Sequence, residues 1–120
     1  MKIKRIAIPI DEGNLGCQLG NCNQFMIYEI DSTKSNLVKS RVLEHNSKNK
    51  NDLLNWFAEI KISDLISHHI DKELAQFLLE NKINVFVGIP LQTPEALLNA
   101  YIEGSLVSNE NVLHQNFNQN

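Results

Sequence analysis

Residues 3–10, IKRIAIPI, decide how the rest of the chain is arranged. From Ile6 to Ile10 the run is apolar at successive positions, so both faces of the strand it forms are apolar. A strand buried on both faces belongs inside a covered sheet, not at its rim. Pro9 has no amide hydrogen, so the ladder on one side is expected to stop there. Every later element is placed on one side or the other of this strand.

Working outward, residues 11–23 hold Gly13, Gly16, Gly20 and three asparagines, the composition of a long loop. QFMIYEID (24–31) reads as the second strand, STKSN as a turn, and LVKSRVLEH (37–45) as the third strand. Lys39 and Arg41 alternate in it as charges do near a sheet edge. The period then changes. Leu53, Phe57 and Ile60 recur at helical spacing and predict a helix over 51–60. SDLIS (63–67) is short and apolar, a buried strand. Asp71 offers an N-cap, and Leu74, Phe77 and Leu78 form the stripe of a helix over 72–81. NVFVG (84–88) is the last strand. TPEALLNAYIEG (93–104) carries Thr93 as cap, Pro94 at the first helical position, Glu95 near the positive end and Gly104 as terminator.

The order β-β-β-α-β-α-β-α combines an antiparallel meander with two right-handed parallel crossovers. With the first strand inside, it predicts an α/β three-layer fold whose five-stranded mixed sheet runs 3-2-1-4-5. Strand 2 is antiparallel and helices lie on both faces, the ribonuclease H-like arrangement. The expected core is Ile6, Ile8, Phe25, Ile27, Leu65, Phe77, Leu78, Val85, Val87 and Leu97. Residues 1–106 are read as the domain and 107–120 as a polar tail in which Val112, Leu113 and Phe117 are able to dock.

Bulk properties narrow the function. The chain has 120 residues, 42% apolar and 21% charged, enough for one core. A formal net charge of −3 gives no general attraction to phosphate backbones, and no basic run is interleaved with aromatics. Neither a membrane span nor a signal-peptide pattern is visible, so a cytoplasmic setting is expected, where thiols stay reduced. Gly-rich phosphate loops, nucleophile elbows and Ser-His-Asp spacings are absent. A nuclease of this topology needs several carboxylates at the central strand ends, and only Asp11 stands there.

The remaining chemistry lies in CQLGNCNQF (17–25), which holds both cysteines of the chain, and in SHHID (67–71), with two of its four histidines. In the predicted topology both segments border the gap between the C-terminal ends of strands 1 and 4, a switch point where open α/β sheets bind ligands. Cys17, Cys22, His68 and His69 would then converge on one crevice. Thiolate with imidazole suits zinc, copper(I) or iron–sulfur clusters. Adjacent histidines do not match the spacing of a closed zinc site, whereas an open ligand set suits temporary holding of a cluster. The bland alternative is a buried cysteine pair and a surface histidine pair.

Three segments carry a resemblance: IAIPIDEG, CQLGNCNQFMIYEID and LLENKINVFVGIPLQTPEALLNAYIEGSL. Together they resemble the dinitrogenase iron–molybdenum cofactor biosynthesis family over roughly residues 3–106. The resemblance implies a non-catalytic protein that binds an iron–sulfur or iron–molybdenum cofactor cluster and passes it between a donor and an acceptor protein. Neither nucleic acid nor membrane is implied as a partner, and a monomer or weak dimer is expected. The site residues expected from this crevice are Cys17, Cys22, Gly20 and Asp11 at the cofactor, with Cys22, Cys17, His68 and His69 as metal ligands. Two departures stand out. The family's His-Phe-Gly is Gln18-Leu19-Gly20 here, and its glycine-rich turn after strand 4 is Ser67-His68-His69-Ile70-Asp71. Either the imidazole ligand has moved to the other crevice wall, or this member has lost its cofactor and serves as a protein-interaction domain.

Overall fold

The computed structural model describes residues 2–16 and 23–109. Its elements are β1 (Ile3–Asp11), β2 (Asn14–Leu15), β3 (Gln24–Asp31), β4 (Asn36–Glu44), α1 (Lys50–Glu59), β5 (Asp64–Ile66), α2 (Lys72–Glu80), β6 (Asn84–Phe86) and α3 (Pro94–Glu103). The sheet runs β4-β3-β1-β5-β6, with β2 attached to β1, so the apolar first strand lies inside as its composition requires. β1 and β3 are antiparallel from Ile3↔Asp31 to Ile10↔Gln24. β5 is parallel to β1, and β6 to β5. The β1–β5 ladder holds only Ile6↔Asp64 and Ala7↔Leu65 and ends before Pro9, while the β3 side continues past it. Proline's missing donor thus faces the parallel neighbour.

The start of the segment read as a continuous loop over 11–23 is a tight hairpin, with Asp11 opposite Asn14 and only Glu12 and Gly13 between them. Both turn residues have positive φ, 53° and 85°. That pair of conformations matches the right-handed twist of the flanking strands, and Gly13 adopts it without steric cost.

The sheet separates two cores. On one face α1 and α2 bury Leu53, Phe57, Ala75 and Leu78 against Ala7, Phe25, Ile27 and Leu65. On the other, α3 buries Leu97 and Leu98 against Ile6, Ile8, Tyr28 and Ile66. Each fully buried aliphatic or aromatic side chain contributes about 1.5–3 kcal/mol relative to exposure. Two expected core residues, Phe77 and Val85, are only half-buried. The Phe77 ring lies at the α1–α2 seam, where the Lys50 ammonium sits 5.0 Å from its centroid and 3.4 Å from Glu73. Val85 belongs to β6, the last of the described strands in the sheet, which has a strand neighbour on one side only among the described residues. The other side of β6 meets the segment after α3. There Asn109 N–H donates to the Val87 carbonyl (2.7 Å) and Val87 N–H to Ser108 Oγ (3.1 Å).

Helix ends follow side-chain chemistry. Asp71 and Thr93 cap α2 and α3 by accepting from Leu74 N–H and Ala96 N–H, and Gly104 ends α3 in the left-handed conformation. Asn49, whose role the sequence pattern did not reveal, caps α1 through Asp52 N–H.

Candidate functional site

The chain leaves β1 toward β3 and leaves β5 toward β6, so their adjacent C-terminal ends form the switch point. Two segments were expected to border it, and the structure adds a third, the β6–α3 connection. Leu15 N–H donates to the Gln92 carbonyl (2.9 Å), which ties that connection to β2. Gly88 N–H donates to His68 O (3.1 Å) and Ile89 N–H to Ser67 O (3.1 Å), tying it to the end of β5. Residues 87–92 carry little ionisable chemistry, which is why a search for chemistry-bearing side chains passes over them; the Gly-Ile-Pro turn was the available signal.

His68 is half-buried, and its Nδ1 lies 2.8 Å from the Ile89 carbonyl. A carbonyl only accepts, so Nδ1 carries a proton, and in the neutral ring it is Nε2 that presents the lone pair. An imidazole held by a backbone carbonyl in this way is oriented for ligation or proton acceptance through its other nitrogen. Ser67, fully buried, donates from Oγ to Phe86 O (2.7 Å), which fixes the backbone just before the two histidines. His69 is half-buried as well. Asp71 is committed to capping α2, with Oδ2 3.3 Å from Leu74 N.

Asp11 is exposed at the mouth of the β1–β2 hairpin. Cys17, Gly20 and Cys22 lie outside the described residues. Among the described residues, no three of His, Cys, Asp and Glu are gathered closely enough to hold a metal ion.

A further imidazole, His45, was not singled out by sequence reading. It follows β4, its backbone N–H donates to Asn23 O (2.9 Å), and its ring stacks on Trp56 at 4.4 Å and 2°. Its Nε2 is buried without a hydrogen bond among the described residues, 3.8 Å from the Asp52 carboxylate. Only the antiparallel meander brings it beside the residue that follows Cys22, so spacing along the chain gave no signal for it.

Among the described residues, no helix is long and apolar enough to cross a membrane. The family described as dinitrogenase iron-molybdenum cofactor matches residues 2–104. Among solved structures, the chain is similar to the crystal structure of PH0822, with a TM-score of 0.77 and 19% identity over 88% of this chain and 94% of that one. It is also similar to the crystal structure of MJ0327 from Methanocaldococcus jannaschii, named as a candidate dinitrogenase. There the TM-score is 0.70 and the identity 18%, over 91% of this chain and 97% of that one. A third likeness is to the NMR structure of TM1290 from Thermotoga, named as a candidate NifB protein of the DUF35 family (TM-score 0.63, 18% identity, 88% and 92% covered). No curated protein matches. At these identities the structural likenesses speak for the fold alone.

Proposed function

This chain belongs to the dinitrogenase iron-molybdenum cofactor family, and from that premise we propose that it is a non-catalytic carrier of an iron–sulfur or iron–molybdenum type cluster. The observation that carries the reading is the family match across residues 2–104, which takes in every described strand and helix. In this reading the cargo sits in the crevice at the C-terminal ends of β1 and β5. Cys22 and Cys17 ligate from one wall, His68 or His69 from the other, and Asp11 and Gly20 border the pocket. His68 is the better imidazole candidate of the two, because its protonated Nδ1 leaves Nε2 available. Thiolates bind iron tightly in a reducing compartment, and a set of two thiols and one imidazole leaves positions open for transfer. The N-terminal end of α2 favours an anionic cargo. The reading includes a ribonuclease H-like arrangement of the fold, a cytoplasmic setting, a monomer or weak dimer, and protein donors and acceptors of the cluster.

Anaerobic reconstitution with iron and sulfide, followed by metal analysis and visible absorption, tests it. Wild type is expected to take up iron with charge-transfer absorption. Cys22→Ala is expected to lose most of it, and His68→Ala to shift the spectrum. Uptake by wild type no greater than by the Cys17→Ala/Cys22→Ala variant refutes the assignment.

A second reading is favoured by two replacements in the sequence, Gln18 at the family's histidine and Ser67–Asp71 at its glycine-rich turn. On this reading the chain is an interaction domain without cargo. Partner binding that survives loss of both thiols supports it over the carrier.

A further inference from the structure

Among the described residues, the α3 face of the sheet carries one helix where the opposite face carries two. Beside α3, over β3 and β4, lies an open groove of about 820 Å³. Its wall on the helix side is Glu95, Leu98, Asn99 and Ile102, the i, i+3, i+4, i+7 positions of one helical face. Its floor is Met26 and Tyr28 of β3 with Leu37 and Ser40 of β4. Leu37 is 46% exposed, a large apolar side chain without cover. The groove follows α3 from Thr93 at its N-terminus to Ile102 in its last turn, about 15 Å for ten residues. That is the length of a three-turn helix.

We propose that this groove docks an amphipathic helix of another protein, antiparallel to α3, with a lysine or arginine in the partner's last turn against Glu95. Antiparallel packing sets the partner's negative C-terminal end beside the positive N-terminal end of α3. Among the described residues lining the groove, Glu95 is the only charged one, so the complementary charge is positive. A basic last turn satisfies both conditions at one place. The remaining lining is apolar and hydroxyl or amide side chains, which suits leucine-type anchors at helical spacing.

Charge also rejects the two occupants nearest to hand. A second copy offers α1, α2 or α3, and none of these has a basic residue in its last turn. Pairing two copies through the adjacent β4 edge would bring Lys39 and Arg41 of each strand together, like charges that oppose it. The chain's own residues 110–120 contain no lysine or arginine and begin with Glu110. They also follow Asn109, which is bonded to Val87 beyond β6, at the opposite side of the sheet from β4.

The test uses the full chain and two fluorescein-labelled synthetic helices of about fourteen residues. Both carry leucines at i, i+3, i+4 and i+7; one ends in lysines and the other in glutamates. By fluorescence anisotropy at low salt, the lysine helix should bind about three- to tenfold more tightly, as expected for one surface charge pair replaced by a like-charge contact. The gap should narrow in high salt. Glu95→Lys should reverse the preference. Leu37→Asp, at an exposed site whose circular dichroism should remain that of wild type, should weaken both helices about tenfold, as loss of an anchor contact does. Equal affinity for the two helices, or an unchanged preference in Glu95→Lys, overturns the proposal. So does a dimer in sedimentation that Leu37→Asp dissolves, which assigns the groove to a second copy. Tighter peptide binding by Leu113→Asp also overturns it, assigning the groove to the chain's own tail. Cluster uptake is read separately and does not depend on any of these outcomes.

Discussion

Substituting Gly88 by alanine probes how the β6–α3 connection is held beside the end of β5. Gly88 has φ +67°, and a Cβ there would lie 2.7 Å from Asn109 Cβ and 2.8 Å from Asn109 O. Neither atom moves aside by a side-chain rotation, so residues 108–109 must leave β6. The left-handed conformation alone costs a residue with a Cβ about 1–2 kcal/mol. Displacing the segment removes the Asn109 N–H bond to Val87 O and the Val87 N–H bond to Ser108 Oγ, each worth about 0.5–1.5 kcal/mol net. Gly88→Ala is therefore expected to destabilise by about 2–5 kcal/mol. Gly104→Ala supplies the control, since φ there is +73° and nothing lies within 4 Å of the added methyl. It bears only the conformational cost, about 1–2 kcal/mol. Urea unfolding of the two variants isolates the packing of residues 108–109 as their difference, and Ser108→Ala should cost less in the Gly88→Ala background than in wild type. Equal losses for Gly88→Ala and Gly104→Ala, or full additivity with Ser108→Ala, would refute the reasoning.

Asp31 accepts from Thr33 Oγ1 (2.6 Å) and from Thr33 N–H (3.0 Å), and the Thr33 hydroxyl is the main cause holding its carboxyl below the usual range. A lowered folded-state value means stabilisation present above the unfolded value of about 3.9 and lost as pH falls below it. Melting temperature followed on acidification should drop less steeply for Asp31→Asn than for wild type. Tyr101 is shifted the other way, upward, by burial first and then by the charge and hydrogen bond of Asp64. Its contribution is complete below the unfolded value of about 10 and lost at higher pH, so stability should fall less steeply on going to alkaline pH in Tyr101→Phe than in wild type. Asp71→Ala should lower stability by about 1 kcal/mol through the α2 cap while leaving iron uptake of the reconstituted protein unchanged; a loss of uptake would make Asp71 an orienting group for the histidines.

Local chemistry was legible in the chain itself. The apolar run from Ile6, the caps Asp71 and Thr93, the Pro94 start and the Gly104 stop act within a few residues, and each is found where pattern places it. The sheet order followed from them, because a strand apolar on both faces has few places to go and parallel crossovers have one hand. The tertiary structure decided what depends on residues far apart in sequence. Phe77 and Val85 look like core residues along the chain, yet their exposure depends on which neighbours reach them: a helix seam for one, the last strand of the sheet for the other. The β6–α3 connection is joined to β2 and to the end of β5 only through bonds to residues 15, 67 and 68. The same distant contacts set His68 Nδ1 against the Ile89 carbonyl, brought His45 next to Asn23, and left β3 and β4 with a single helix on one face among the described residues. Sequence spacing carries propensities that act over a turn or a strand; a hydrogen bond between residues twenty or more positions apart exists only once the chain has closed the loop between them.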